Sequence, residues 1–253
     1  MVISTRLNRR PKFPLLSSLK QVAEFIKFDF DLEAHTLCSN LGRGFLVVRD
    51  TSSELFKIVL RAAELTAALD QLHRLGVGHL DGLEMAMLTI VFQHNLYSLS
   101  RPLSTTVAET QSLREYRYDL CRVSLAIYSD FVLFPSTPGY NVQPRLAGEV
   151  SQLLLAIDKE DTATADGDGW SDILLWATVM GGIAANGASS RRRWYQERLY
   201  RQTIMKGISF TQLTNCMSTL LWWDHVFEDR LADLWMEALH FGQPQAVASW
   251  KLP

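Results

Sequence analysis

Hydrophobic residues along the chain recur at three- and four-residue spacing, the period of a helix with one buried face. Leu55, Ile58, Val59, Ala62, Leu65, Leu69 and Leu72 follow this spacing until Gly76, behind a Thr51-Ser-Ser-Glu54 stretch that reads as a capping box. Asp81 with Glu84 repeats the capping logic. The next helix carries Leu83, Met87, Ile90, Val91, His94 and Leu96 to a break before Pro102. Tyr116, Leu120, Val123, Ile127, Phe131 and Phe134 mark a helix over 113–134, which Pro135 and Pro138-Gly139 end in a loop. Pro144 suits the first turn of a further helix through Val150, Leu153, Leu154 and Ile157.

An acidic loop spans Asp158 to Gly169, and Ser171 or Asp172 is the expected cap of the helix that follows. Ser189 or Ser190 is placed to cap another helix, and Ser209 with Gln212 a third, which should run through Leu213, Met217, Leu220 and Leu221 to Trp222-Trp223. A last helix carries Val226, Leu231, Leu234, Trp235 and Leu239 and ends near Gly242. No alternating strand pattern and no fixed-period repeat occurs. The expectation is an all-α fold, a single irregular helical-bundle domain of roughly eight or more helices over 51–245. Residues 1–50, with a basic start at Arg6, Arg9, Arg10 and Lys12, read as a partly disordered or loosely packed N-terminal segment.

Residues 173–193 depart from simple amphipathic spacing. Gly181, Gly182, Ala184 and Ala185 leave the helix without bulk, so that another helix can approach its backbone, and Arg191, Arg192 and Arg193 follow at once. Close packing there predicts that Gly182→Leu destabilises the fold by several kcal/mol, on the order of overpacking costs. The three arginines read as surface charges worth on the order of 0–1 kcal/mol each, so their joint replacement by Ala should leave folding largely intact. The uncharged run from Ile173 to Ser190 approaches membrane-span length, but Asn186, Gly187, Ser189 and Ser190 erode it, and no membrane association is expected.

Composition narrows the function classes. The 253 residues include 47% hydrophobic side chains, ample for a core without covalent staples. Three cysteines, Cys38, Cys121 and Cys216, are too few and too far apart for a disulfide framework or a four-ligand zinc site, and fit a reducing, intracellular setting. A net charge of −2 supplies no field for a polyanion, so DNA contact would need a local patch such as Arg191 to Arg201. The N-terminus shows no secretory signal: Pro11 and Pro14 interrupt it and no apolar stretch follows.

Candidate chemistry is sparse. In Trp222-Trp223-Asp224-His225-Val226-Phe227-Glu228-Asp229, Asp224 and Glu228 lie one helical turn apart and could share Mg²⁺, as the aromatic-flanked acidic motif of class I terpene synthases does. The second motif of those enzymes, a later triad of Asn/Asp, Ser/Thr and Glu, is missing. His225 with Asp229 is a weaker metal pair. Asp166-Gly-Asp168-Gly169 resembles the start of a calcium loop without its closing glutamate, and His73, His79 and His94 fall on separate segments. No nucleophile elbow, phosphate loop or dinucleotide fingerprint occurs. Trp176, Trp194, Trp222, Trp223 and Trp235 read as helical core.

Taken in order, Cys121-Arg-Val-Ser-Leu-Ala-Ile-Tyr128, Val132-Leu-Phe-Pro135 and Pro144-Arg-Leu146 resemble the central part of the fungal-specific transcription factor domain of zinc-cluster regulators. Leu174-Leu-Trp176, Gly181-Gly-Ile-Ala184, Arg193-Trp194, Leu221-Trp-Trp-Asp224 and Leu234-Trp235 resemble its C-terminal part. The resemblance spans roughly 55–240, with Arg122, Tyr128, Pro135, Trp176, Gly181, Gly182, Arg193, Trp194, Trp222, Trp223, Asp224 and Trp235 as its signature positions. It implies a nuclear, non-enzymatic regulatory domain with no cofactor. Such a domain acts through protein partners, a homo-oligomer or a small-molecule effector. In that family a separate module with six spaced cysteines binds two zinc ions and reads DNA. This sequence does not encode that module, so direct DNA binding is not expected. A small Mg²⁺-dependent enzyme using Asp224 and Glu228 and a non-catalytic scaffold are the alternative readings.

Overall fold

The computed structural model describes residues 28–76, 82–99, 112–133, 142–160, 169–185 and 189–241, and every regular element among them is helical. The fold is all-α. The N-terminal part contains α1 (Leu32–Asn40), a 3₁₀ turn (Arg43–Phe45), α2 (Leu46–Thr51), α3 (Ser53–Leu75) and α4 (Gly82–Ser98). The central helices are α5 (Leu113–Val132), α6 (Val142–Glu160) and α7 (Ser171–Ala184). The C-terminal part holds α8 (Ser190–Gln202), a second 3₁₀ turn (Ile204–Lys206), α9 (Phe210–Met217) and α10 (Asp224–Phe241).

Local chemistry sets most boundaries. The start of α3 lies one residue beyond the expected cap: Thr51 closes α2, and Ser52 accepts the Leu55 N–H at 3.2 Å. Gly76 ends α3 in the left-handed conformation, φ 67°, which favours a residue without Cβ. Glu115 accepts the Ser112 N–H at 2.9 Å at the head of α5, and Ser189 accepts the Arg192 N–H at 3.1 Å at the head of α8. Ser209 and Gln212 form a reciprocal capping box.

Two expectations are corrected. Trp170, not Ser171 or Asp172, stands at the cap of α7 and gives it no side-chain bond; its indole is buried. The helix begun at Ser209 stops at Met217, and a turn carries Leu220, Leu221 and Trp222 into the core outside any helix.

The core sits where α5, α6 and α7 pack against one another, with α8 and α10 closing over α7. Across the bundle, the Tyr128 and Thr66 hydroxyls are 2.7 Å apart, tying α5 to α3. The fully buried Trp176 donates its indole N–H to the Leu221 carbonyl at 2.9 Å and meets the Phe45 ring edge-on at 5.0 Å.

The boundary expected at residue 51 falls inside packed structure. Ala34, Leu41, Phe45 and Val48 are buried in the same cluster as Trp176, and the Gly44 N–H donates to the Thr219 carbonyl at 2.8 Å. A Cβ on Gly44 would sit 2.6 Å from a Leu220 methyl and 3.3 Å from the Thr219 carbonyl oxygen, so the missing side chain lets these two segments approach closely. Expectations on Asp81, Pro135, the 161–168 loop and Gly242 lie outside the described residues.

Candidate functional site

The small residues of α7 do what their sizes predict. A Cβ on Gly181 would lie 2.3 Å from the Tyr195 hydroxyl, and one on Gly182 would lie 2.7 Å from Leu234. The helix therefore receives α8 on one side and α10 on the other at its C-terminal end. Above this crossing, Arg192 is 7% exposed. Its Nε donates to Glu237 at 2.7 Å, and an Nη donates to the Gly182 carbonyl. This corrects the reading of all three arginines as surface charges: Arg192 is built into the core wall, whereas Arg191 and Arg193 are exposed.

The remaining charges of α8 are also engaged. Arg198 pairs with Asp158 and lies over the Trp194 ring, Arg201 pairs with Glu197, and Arg191 donates to the Pro144 carbonyl at 2.9 Å. Such pairing lowers the positive field this helix offers to a phosphate backbone. Beside its first turn, Arg191, Ser151, Ser190 and Trp194 border a shallow depression of about 340 Å³.

The signature residues divide between core and surface. Tyr128, Trp176, Gly181, Gly182 and Trp222 are buried, as is Trp235 beside the Phe210 ring, and Arg122 is buried with its Nε 3.5 Å from Asp119. Trp223 is half-buried and donates to Asp70 at 2.9 Å, while the half-buried Trp194 packs edge-on against Tyr195. Arg193 is exposed over the Phe241 ring. Asp224 is exposed and accepts the Trp222 indole N–H at 2.9 Å. Pro135 lies outside the described residues.

Asp224 and Glu228 both face solvent at the start of α10, and Asp224 already serves as an acceptor for Trp222. Among the described residues, no three His, Cys, Asp or Glu side chains are grouped to hold a metal ion. No described helix is long and apolar enough to cross a membrane. His73 and His225 do meet, with ring centroids 3.8 Å apart, joining the end of α3 to the start of α10. His94 stays on α4, near Ser98. Burial raises the Cys121 thiol, and burial with the nearby Asp172 charge pushes Cys216 up to about 12, so neither is a ready nucleophile.

The site with the most varied chemistry is a cavity of about 610 Å³ where four helices end or begin. The C-terminal end of α5 supplies Asp130 and Phe131, α6 supplies Gln143, α7 supplies Ile183, and α10 supplies His225, Val226 and Arg230. Asp130 is 2% exposed, and its Oδ2 accepts the Gln143 amide at 2.8 Å, which fixes the carboxylate. The Arg230 guanidinium lies 5.3 Å over the Phe131 ring and donates to the Val226 carbonyl, so one cation is held at the rim in a defined position. Phe227 lies beneath, 5.7 Å from Phe131.

Periodicity did not find this cavity, since its residues come from four separate helices. One signal was present: Asp130 stands directly before Phe131, three residues after Ile127, so it borders the apolar stripe of α5, where a carboxylate needs a partner. Comparison with protein-family models, with curated proteins and with solved structures finds no match to this chain.

Proposed function

We propose that this chain is a regulatory and interaction domain of the kind found in fungal zinc-cluster transcription factors, acting in the nucleus without a zinc-cluster reader encoded in this sequence. The observation that carries the reading is the four-helix cavity. Apolar Phe131, Ile183 and Val226 surround a fixed carboxylate, an arginine and an imidazole, the composition of a site for a small-molecule effector rather than a bare scaffold surface. A ligand filling it would touch α5, α6, α7 and α10 at once and so bias their packing, and with it a protein partner or a second copy bound elsewhere.

The test fuses the chain to a zinc-cluster DNA-binding head and reads a reporter gene, alongside DNA binding by the unfused chain across salt concentrations. The unfused chain should not bind DNA. The fusion should bind and should drive the reporter at a level that changes when Ile183→Trp fills the cavity. Tight, salt-dependent DNA binding by the unfused chain, or a reporter indifferent to Ile183→Trp in a folded fusion, would overturn the proposal.

A further inference from the structure

Six histidines are spread along the chain, and the fold brings two of them, His73 and His225, into contact. His73 lies in the last turn of α3 and His225 in the first turn of α10. Both are exposed, with ring centroids 3.8 Å apart and planes tilted by 42°. Among the described residues neither imidazole makes a hydrogen bond or an ion pair. Trp223 holds the two together: its indole N–H donates to Asp70 on α3 at 2.9 Å, and its ring stands edge-on to His73 at 6.2 Å and beside His225 at 5.3 Å.

A neutral imidazole carries one basic nitrogen, and no described protein group takes up either of these two. Imidazole is a good ligand for Zn²⁺ and Ni²⁺, whereas Mg²⁺ and Ca²⁺ require oxygen. Two cis ligands about 2.0–2.1 Å from one ion stand about 3 Å from each other. Rings already 3.8 Å apart need a turn of exposed side chains to reach that spacing, not a movement of either helix. From this juxtaposition we infer that His73 and His225 form a two-imidazole site for a divalent transition-metal ion of the Zn²⁺ and Ni²⁺ class, joining the end of α3 to the start of α10. Asp70 is not a third ligand, because one oxygen accepts the Trp223 indole and the other accepts Arg74 at 2.8 Å. No third His, Cys, Asp or Glu among the described residues is grouped with the pair, so water completes the coordination. The ion is therefore an exchangeable clamp between two helices, held less tightly than in a closed four-ligand structural site. It works with or without a ligand in the four-helix cavity.

The test is calorimetric titration of the untagged full chain with the chlorides of Ni²⁺, Zn²⁺ and Mg²⁺ near neutral pH. Ni²⁺ and Zn²⁺ should each bind one ion per chain, and Mg²⁺ should not bind. His73→Ala and His225→Ala should each weaken Ni²⁺ binding at least tenfold, whereas His35→Ala, at an exposed histidine of α1, should leave it unchanged. Circular dichroism checks the fold of each variant, and His225→Gln replaces His225→Ala if the latter does not fold. Because the ion joins two helices only in the folded chain, Ni²⁺ should raise the urea midpoint of the parent and leave that of His73→Ala and His225→Ala where it was. Absence of Ni²⁺ and Zn²⁺ binding, binding that survives either substitution, or an equal loss in His35→Ala would overturn the site.

Discussion

The Tyr195 hydroxyl donates to the Ala147 carbonyl at 2.6 Å, and it reaches that oxygen through the space a side chain on Gly181 would fill. Three helices are joined by this single reach: α8 provides the ring, α7 the gap and α6 the acceptor. Burial raises the Tyr195 hydroxyl far above its ordinary range, so it stays protonated and remains a donor.

Gly181→Ala should therefore destabilise the protein although alanine is the better helix former. The added methyl displaces a ring that cannot retreat without leaving Ala147, a combined overpacking and hydrogen-bond loss of about 2–4 kcal/mol after the helix-propensity gain of about 1 kcal/mol. Urea unfolding measures it, and a double-mutant cycle identifies the cause. In a Tyr195→Ala background the same substitution should cost much less; equal costs in both backgrounds would place the strain elsewhere. Gly182→Leu, which drives into Leu234, should be worse than Gly181→Ala.

Arg192 separates from its neighbours in the same experiment. Arg192→Ala leaves Glu237 and the Gly182 carbonyl without their donor and should cost about 2–3 kcal/mol, below the range for a fully buried pair because Glu237 is partly exposed. Arg193→Ala, at an exposed site, should stay within about 0.5 kcal/mol. Equal, small effects at both positions would show that the pair with Glu237 contributes nothing.

These residues show how far the sequence could be read. Hydrophobic spacing marks α3, α5, α6 and α10, because each buries one face, and a serine cap marks the start of α8. The close approach at Gly181 and Gly182 was legible too, since missing bulk has one main use inside an apolar helix. The difference between Arg192 and Arg193 was not. Both sit in one charged run, and only the position of Glu237, forty-five residues later, makes the first a core residue. Residues 28–50 carry no such signal for a similar reason: short helices such as α2 have too few turns for periodicity to show, so nothing around Phe45 marks its contact with Trp176.

Phe45 provides a test of that contact. The ring is fully buried edge-on to Trp176, and Phe45→Ala should cost about 3–5 kcal/mol, the range for an aromatic removed from a packed core. Unfolding should remain a single transition whether followed by tryptophan fluorescence or by circular dichroism. A variant as stable as the parent would mean that this segment packs independently of the rest.

Acid should weaken the fold through two carboxylates. Asp31 is held below its ordinary range first by the Arg74 side chain and then by the Ala34 N–H. For Glu237, burial pushes the value up, but bonds from Arg192 and Gln196 with the Arg192 charge outweigh it, and the net shift is downward. A lowered folded-state value means that the stabilisation is fully present above the unfolded-state values, about 3.9 for Asp and 4.3 for Glu, and is lost as pH falls through the lower folded-state values. The urea midpoint should accordingly hold between pH 7 and about pH 5 and decline below that. Arg192→Met keeps much of the packing but removes the partner, so it should start from a lower midpoint at pH 7 and lose less of it on acidification. Parallel acid limbs for the parent and Arg192→Met would show that Glu237 gains no stabilisation from its arginine.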